Sequence, residues 1–283
     1  MRHPLPAAQG QRVPRRLQEG AARPAGARRP APAAPGLRLG KAPAIKPTIS
    51  FVIPALNEEA NIADAVREAV AAMRDRFRDY ELLLFDDGST DRTGAIMGEL
   101  AAADPTHVRV THNSTPRNLG GVYKQGIALA RMDYIVMVPG DNENPGHALQ
   151  APFDAIGQAD IVLPYPVNSD VRGVARHAVS RTYVGVLNRL FGLRIRYYNG
   201  TVIHRTANLK GLSIKTASFA YQAEILIKLL CAGKSFVEVP IRIDPPKEGR
   251  RSRAFRWKNV VQVARTLGDL FLDIRVRRLH TAR

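Results

Sequence analysis

Acidic side chains that could bind a metal ion or a nucleotide occur in two short clusters of this sequence. One is D-D-G-S at 86–89, and the other is the pair Asp141 and Glu143, two residues apart. A carboxylate before a glycine turn can accept hydrogen bonds from a base or a ribose, because the glycine lets the ligand approach the backbone. Carboxylates at the second spacing suit Mg²⁺ or Mn²⁺, which proteins usually hold with one or two carboxylates and substrate phosphates. Each cluster alone is equally typical of a helix-capping turn, but the two together favour a nucleotide-diphosphate site.

Other catalytic signatures are absent from the sequence. It contains no phosphate-binding G-x-x-x-x-G-K-[ST] loop and no G-x-G-x-x-G dinucleotide fingerprint. No Ser-His-Asp arrangement can be assigned. The one cysteine, Cys231, excludes a disulfide within the chain, and it falls on the apolar face of a predicted helix, where we expect it to be part of the core.

Short apolar runs alternate with helical patterns through the middle of the chain. The predicted order is strand 49–53, helix 60–77, strand 80–85, helix 91–102, strand 108–111, helix 118–130, strand 134–138, strand 160–163, helix 172–191, strand 201–204, helix 219–232 and strand 235–243. Strands alternating with helices predict a mostly parallel sheet covered by helices on both faces. Ligands bind such sheets beyond the carboxyl ends of the strands. Both acidic clusters directly follow predicted strands, which is where such a ligand would lie.

The formal net charge of +17 sits on the two ends of the chain. Residues 1–47 hold 10 basic residues and 1 acidic residue, residues 247–283 hold 11 and 3, and residues 48–246 hold 21 of each. A nucleic-acid-binding fold normally carries a basic footprint on its folded body as well. The partition therefore argues against nucleic acid as the partner of the central domain and leaves a nucleic-acid-binding protein as the weakest alternative.

The two basic ends also differ from the centre in composition. Pro, Ala and Gly fill 25 of the first 47 positions, so we predict a disordered tail there. From 255 to 274, apolar residues recur at helical spacing among arginines, which is typical of a helix in a membrane interface or of one packed on the domain. No stretch reaches the roughly 18–20 apolar residues of a spanning helix. The predicted organisation is a tail over 1–47, a single α/β domain over 48–246, and a basic loop with an amphipathic helix over 247–283.

Four motifs carry a resemblance to a known family. They are F-V-I-P-A-L-N-E-E (51–59), L-F-D-D-G-S-T-D (84–91), N-L-G-G-V-Y-K-Q-G-I-A-L-A (118–130) and P-G-D-N-E-N-P (139–145). In this order they resemble the family 2 inverting glycosyltransferases, and within them the dolichol-phosphate-mannose-synthase-like enzymes, which act on polyprenyl phosphates. Segments within 211–243 are similar to the same group, so the likeness covers about 48–258.

The resemblance implies a GT-A fold, which is Rossmann-like, with a UDP- or GDP-linked sugar donor and a divalent metal, Mg²⁺ or Mn²⁺. The matching positions that would bind the nucleotide are Pro54, Leu56, Glu58, Asp86, Asp87 and Gly140. The family's metal motif is Asp-x-Asp-x-Gln. Here Pro139 replaces the first Asp, and Asp141 and Glu143 stand at the second Asp and the Gln. We expect these two carboxylates to hold the metal. The affinity for the metal depends on the effect of Pro139 in place of the first Asp.

The resemblance also implies residues for the acceptor. Arg176 and Ser180 match the Arg and Ser that hold the acceptor phosphate, and Arg205 stands where the family has a phosphate-binding Lys. Glu224 matches an acidic position that would orient the donor sugar, although a cap or a salt bridge is an equal alternative. The loop over 247–258 would close over the diphosphate or meet anionic lipid through Lys247, Arg250, Arg251 and Arg253.

The resulting hypothesis is an enzyme that transfers a sugar with inversion from a nucleotide-sugar to a polyprenyl monophosphate, as a peripheral protein on the cytoplasmic face of the membrane. The acceptor phosphate is already anionic, so the protein's tasks are positioning and charge stabilisation rather than base catalysis. One alternative is a soluble family 2 transferase acting on a glycan hydroxyl, which needs a general base. Another is a non-catalytic relative that binds a nucleotide-sugar. Its support is Pro139, which replaces the first Asp of the metal motif. Whether an integral-membrane partner completes the system stays open.

Overall fold

A computed structural model describes residues 46–143, 146–168, 174–218, 220–244, 267–272 and 274. The strands are β1 (Thr48–Ala55), β2 (Asp79–Asp86), β3 (Val108–His112), β4 (Tyr134–Met137), β5 (Ile161–Pro166), β6 (Ile203–Arg205) and β7 (Phe236–Ile241). The helices are α1 (Ile62–Met73), α2 (Thr93–Ala103), α3 (Asn118–Leu129), α4 (Gly146–Asp154), α5 (Val174–Phe191), α6 (Thr206–Leu209) and α7 (Tyr221–Cys231), with a 3₁₀ turn at Arg74–Arg76. Nearly all of the predicted tail and all of the basic loop over 247–258 lie outside the described residues.

The strands form one sheet in the order β3-β2-β1-β4-β6-β5-β7. β1 pairs in parallel with β2 and β4, β2 pairs in parallel with β3, and β5 pairs in parallel with β7. β6 is antiparallel to both β4 and β5, so within the described sheet it alone runs the other way. We call the edge formed by Ala55, Asp86, His112 and Met137 the carboxyl edge, and the edge formed by Thr48, Asp79 and Tyr134 the amino edge.

Helices cover both faces of the sheet, because successive strand side chains point to opposite sides. In β1, Phe51 and Ile53 are buried in a core with α1, α2 and α4, whereas Val52 is buried in a second core with α3, α5 and α7. Gly126 brings α3 directly onto β1, since a Cβ at this position would stand 2.4 Å from Cγ2 of Val52. This layered architecture confirms the predicted α/β fold.

Every helix and strand predicted between residues 48 and 246 is present, most with shifted ends, but the sequence analysis missed α4 and the four-residue α6. Gly146 begins this helix and Pro152 lies inside it, and both residue types disfavour helix on propensity alone. Packing stabilises it instead. The ring of Phe153 meets those of Phe51 and Phe77 edge-on, with centroids 5.8 and 5.2 Å apart. Local sequence therefore under-predicts a helix that the core stabilises.

The described part of the C-terminal helix packs on the domain. Leu270 and Ile274 are buried, and the ring of Phe271 lies 6.3 Å from that of Phe191 at the end of α5. Of the two interpretations of this helix, most of the described residues fit the one packed on protein, because Leu270 and Ile274 are buried, whereas Leu272 is 45% exposed. None of the described helices is long and apolar enough to cross a membrane.

Candidate active site

The carboxyl edge brings the two acidic clusters to the end of β1. On one side, Asp86 stands beside Ala55, and the Asp87 N–H donates to the Ala55 carbonyl oxygen at 2.9 Å. On the other side, the Gly140 N–H donates to the Pro54 carbonyl oxygen at 2.9 Å. The structure therefore gathers at this edge the loops that carry the predicted residues Pro54, Leu56, Glu58, Asp86, Asp87, Gly140, Asp141 and Glu143.

Asp86 is a buried carboxylate at the end of β2, only 8% exposed. Its Oδ1 accepts the Ser89 backbone N–H at 2.9 Å, and its Oδ2 lies 3.1 Å from Nδ1 of His112. Burial acts to raise the pKa of Asp86, but the hydrogen bonds from Ser89 and His112 outweigh it and lower that pKa below its usual value. Asp86 is therefore ionised at neutral pH and can accept hydrogen bonds from a ribose or base.

His112 is a member of this edge that the sequence analysis missed. It ends β3 directly beside Asp86 in the sheet, and its side chain is 57% exposed. The signal was available, because His112 is the polar residue that directly follows the predicted strand 108–111. Its ring extends the surface formed by Asp86 toward solvent.

Asp87, in contrast, accepts its hydrogen bonds from neighbouring groups of the protein. Its Oδ1 accepts hydrogen bonds from the Asn113 side-chain amide at 3.0 Å and from the Arg117 backbone N–H at 2.8 Å. Its Oδ2 accepts the Asn118 backbone N–H at 3.0 Å. These last two donors lie at the start of α3, where backbone N–H groups have no helical partner. Asp87 therefore caps α3, and Asp86 is the better placed of the two acids to meet a ligand.

The loops after β1 and β2 hold each other in place. The Asn57 N–H donates to Oγ of Ser89 at 3.0 Å, and the Thr90 N–H donates to Oδ1 of Asn57 at 2.8 Å. The Arg92 N–H donates to Oε2 of Glu59 at 3.0 Å. Because both loops provide donors and acceptors, the surface around Asp86 is built before any ligand binds.

The loop after β4 carries the predicted metal ligands. Asp141 is half-buried and Glu143 is exposed, and the Glu143 N–H donates to Oδ1 of Asp141 at 3.1 Å. In the described part of the chain, no group of three or more His, Cys, Asp and Glu side chains could hold a metal ion. Two carboxylates fit an ion such as Mg²⁺, which takes one or two from the protein and completes its shell with water and substrate phosphate.

Three asparagines adopt a left-handed backbone in these loops. Asn57, Asn118 and Asn142 have φ values of 56°, 60° and 53°, and they are the described non-glycine residues with positive φ. Asparagine tolerates this region better than most residues, though it still costs on the order of 1 kcal/mol. All three follow strands at the carboxyl edge, so the strained positions gather where the candidate ligands lie.

Arg205 lies at the opposite edge of the sheet. It pairs with Tyr134 at the amino edge, where its guanidinium lies 5.3 Å from the centre of the Tyr134 ring. Its Nε is 3.7 Å from Oδ1 of Asp160. This corrects the expected placement, because the reversed direction of β6 carries its last residue away from Asp141. Arg205 is therefore not part of the group of residues at the carboxyl edge.

Glu224 is only 2% exposed, and its carboxylate has hydrogen-bond and ion-pair partners within the protein. Its two carboxylate oxygens accept the backbone N–H groups of Lys215 and Thr216, both at 2.9 Å, and Nζ of Lys228 lies 2.5 Å from Oε1. Next to Thr216, Ala217 accepts the Gly120 N–H of α3 at 3.1 Å. These contacts match the cap and salt-bridge alternative, and they fix the loop that packs on the start of α3.

The two predicted acceptor residues lie in the first half of α5. This helix follows β5, which ends at the same side of the sheet as β4 because each is antiparallel to β6. Ser180 is half-buried, and the Arg176 side chain lies outside the described residues, as do the basic side chains of the 247–258 loop. The topology thus brings the chain back toward the carboxyl edge before α5 begins.

Residues 50–215 match the protein family described as Glycosyl transferase family 2. The match spans 166 of the 283 residues and includes both acidic clusters. The chain belongs to glycosyl transferase family 2. This confirms the resemblance drawn from the four motifs, and with it the prediction of a glycosyltransferase.

Sequence relatives of this family 2 member include enzymes named for undecaprenyl phosphate and for polyprenol. The chain is 28% identical over 158 residues to an undecaprenyl-phosphate 4-deoxy-4-formamido-L-arabinose transferase of Pseudomonas paraeruginosa, covering 55% of this chain and 44% of that protein. It is 28% identical over 220 residues to a polyprenol monophosphomannose synthase of Mycolicibacterium smegmatis, covering 71% and 80%. The chain therefore spans less than half of the first relative and most of the second.

Solved structures with the same fold include glucosyl-3-phosphoglycerate synthase of Mycobacterium tuberculosis. Its complex with UDP superposes with a TM-score of 0.57 at 19% identity, covering 80% of this chain and 79% of that chain. The complex with Mn²⁺, UDP-glucose and phosphoglyceric acid gives a TM-score of 0.57 at 20% identity, with the same coverage. At this identity the likeness shows the fold alone, and it confirms the GT-A-like architecture.

Proposed function

We propose that this family 2 glycosyltransferase transfers a sugar, with inversion, from a nucleotide-diphosphate sugar to a polyprenyl monophosphate. The observation that carries the proposal is the meeting of Asp86 and the Asp141–Glu143 loop on either side of the end of β1. A nucleoside bound at Asp86 would extend its diphosphate across β1 toward the carboxylate pair. Relatives named for undecaprenyl phosphate and polyprenol support the acceptor class.

On the donor side, the proposal assigns the nucleoside to the loops after β1 and β2, which are hydrogen-bonded to each other. Asp86 accepts hydrogen bonds from the base or ribose, and Pro54, Leu56 and Glu58 line the pocket beside it. UDP-glucose and Mn²⁺ in a structure of the same fold support a donor and a metal of these classes. Gly140 is kept among the nucleotide-binding residues of the proposal. Its packing on α1 requires glycine, because a Cβ there would stand 2.8 Å from Cδ1 of Ile62.

Asp141 and Glu143 are the residues that would hold Mg²⁺ or Mn²⁺. The metal would supply charge neutralisation for the leaving diphosphate. The protein's part is to hold the loop that carries both residues beyond the end of β1. The hydrogen bonds from the Glu143 N–H to Asp141 and from the Gly140 N–H to the Pro54 carbonyl oxygen do this.

On the acceptor side, the proposal gives Arg176 and Ser180 the task of aiming the lipid phosphate. An anionic phosphate oxygen bonds to the anomeric carbon from the face opposite the donor's diphosphate. The bond from that carbon to the diphosphate oxygen breaks, and a nucleoside diphosphate leaves with the electron pair. Arginine suits this task because its fork of N–H donors matches phosphate geometry. No proton needs to be removed from the nucleophile.

The membrane contact in this proposal falls on α5. Val179, Val186 and Leu190 are 52%, 47% and 37% exposed, and their spacing places them on one side of the helix. Arg181 and Arg189 are also exposed on the same helix. Apolar and basic side chains together are typical of helices that lie in an anionic membrane interface. We therefore propose a peripheral protein that meets the membrane with the helix carrying Arg176.

The deciding experiment supplies the full chain with vesicles containing polyprenyl phosphate, a panel of UDP- and GDP-sugars, and Mg²⁺ or Mn²⁺. We expect one donor to yield a lipid-linked sugar. Asp141→Asn should abolish the product, and Arg176→Ala should reduce it by roughly a hundredfold through loss of a charged hydrogen-bond partner. Arg78→Ala, which removes an exposed arginine at the amino edge of the sheet, is the control and should retain activity. No lipid-linked sugar from any donor would refute the proposal.

A soluble acceptor is the second candidate, because Leu270 and Ile274 of the C-terminal helix are buried on the domain and are not available to a membrane. In that case, a free glycan would accept the sugar and the product would not require vesicles. Pairing each donor with a glycan panel in the same assay separates the two. A non-catalytic nucleotide-sugar-binding protein would bind the donor and give no product with either acceptor.

A further inference from the structure

The loop that carries Asp141 and Glu143 rests on α1 at both of its ends. At its start, Gly140 lies against Ile62. At its far side, Gly146 begins α4 so close to α1 that a Cβ there would stand 3.0 Å from the backbone oxygen of Glu68. One helix, outside the acidic motifs, therefore contacts the loop at both of its described ends.

The side chain of Glu68 reaches from α1 into this loop. Its Oε2 accepts the Gly146 N–H at 2.9 Å, and its Oε1 lies 3.5 Å from the Asn142 side-chain amide. The first contact is a short bond to an N–H at a helix start, which has no helical partner and favours negative charge. The second is at the long limit of a hydrogen bond. Together they join α1 to both sides of the loop.

Asn142 is the residue whose conformation this contact helps to hold. It lies between the two candidate metal ligands and has the left-handed φ of 53°. A residue in this region returns to ordinary backbone when its surroundings no longer hold it. Such a change would alter the direction of the chain between Asp141 and Glu143, and with it the relative orientation of their side chains.

We propose that Glu68 is a positioning residue, which holds the 140–146 loop so that Asp141 and Glu143 face one divalent cation. The proposal rests on the function inferred above, since it assigns the metal to that pair. Glu68 is half-buried and lies on the helix behind the loop, so it acts through the loop conformation. Residues in such supporting positions commonly change metal affinity by about 10- to 100-fold.

The test compares Glu68→Ala with Glu68→Gln and with Asp64→Ala. The glutamine keeps an oxygen that can accept the Gly146 N–H. Asp64 lies one turn earlier on α1 and pairs with Arg67 at 2.8 Å, which makes it the matched control. The first measurement is the Mn²⁺ concentration that gives half-maximal sugar transfer. We expect Glu68→Ala to raise it about tenfold, with kcat at saturating Mn²⁺ within about twofold of wild type. Glu68→Gln should restore most of the change and Asp64→Ala should show none.

A second pair of measurements does not depend on activity. Calorimetric titration of Mn²⁺ in the presence of UDP or GDP should show the same loss of affinity in Glu68→Ala. Hydrogen exchange at the Gly146 amide should be faster in that variant, with an unchanged thermal midpoint. If the wild type transfers no sugar, the proposed function fails, while these two measurements still decide the role of Glu68. Unchanged Mn²⁺ affinity and unchanged exchange in Glu68→Ala would overturn it.

Discussion

At the scale of single residues, chemistry at the carboxyl edge depends on which partners each carboxylate already has. Asp86 and Asp87 are adjacent and both buried, yet Asp87 caps α3 through two backbone N–H groups. Asp86 receives hydrogen bonds from the backbone and the hydroxyl of Ser89 and contacts the exposed ring of His112. A carboxylate accepts about four hydrogen bonds, so Asp86 keeps capacity for a ligand.

His204 gives a prediction on pH and stability. It is fully buried in β6, and burial lowers its pKa to about 3 from the usual 6.5. The unfolded chain takes up a proton near pH 6.5 while the folded chain stays neutral, so stability falls as the pH drops from about 6.5 toward 3. Urea unfolding at pH 7.5 and pH 5.0 should show a loss of about 2 kcal/mol from this residue.

The control for that prediction is His204→Gln, which removes the titrating group. Carboxylates that protonate in the same range are shared by both proteins and cancel in the comparison. The variant's loss of unfolding free energy between the two pH values should therefore be smaller than the wild type's by about 2 kcal/mol. Equal losses in both proteins would show that His204 does not titrate as its burial implies.

At the scale of elements, two glycines on helices have opposite surroundings. In α3, a Cβ on Gly126 would stand 2.4 Å from Cγ2 of Val52, whereas a Cβ on Gly98 in α2 would meet nothing within 4 Å. We expect Gly126→Ala to reduce the free energy of unfolding by about 1–3 kcal/mol through overpacking. Gly98→Ala should raise it by about 0.5–1 kcal/mol, because alanine restricts the unfolded chain. Chemical denaturation of both variants measures the contrast, and a stable Gly126→Ala would mean that α3 can shift away from β1.

The exposed side of α5 gives a second prediction at this scale. Val186→Glu should weaken sedimentation with anionic vesicles by roughly tenfold, because a charge replaces an apolar side chain proposed to enter the interface. Val70→Glu is the matched control, since Val70 is 37% exposed on α1, which covers the other face of the sheet. Equal vesicle binding by both variants would exclude α5 as the membrane contact.

At the scale of the whole molecule, the charge of +17 belongs to the ends, and residues 48–246 are neutral. We expect removal of residues 1–45, which hold nine basic residues and one acidic residue, to weaken any binding to duplex DNA at low salt by at least about tenfold. Sugar transfer and the thermal midpoint should not change. A filter-binding series over salt concentration measures the first effect. Full DNA affinity in the shortened chain would mean that the folded body carries a nucleic-acid site.

Sequence alone determined the layered α/β fold and the side of the sheet on which the two acidic clusters lie. Short apolar runs such as 49–53 and 80–85, alternating with helical patterns, predict buried strands, and polar motifs that follow parallel strands meet at one edge. Three other features were decided by tertiary structure. Asp86 and Asp87 differ only in the partners that α3 and β3 bring to them. Arg205 lies far from the site because β6 is antiparallel, and a strand's direction is set by its neighbours rather than by its own residues. Leu270 and Ile274 of the C-terminal helix are buried on the domain. Sequence could not decide this, because an apolar face packs equally well on lipid or on protein, and only the folded chain shows which is present.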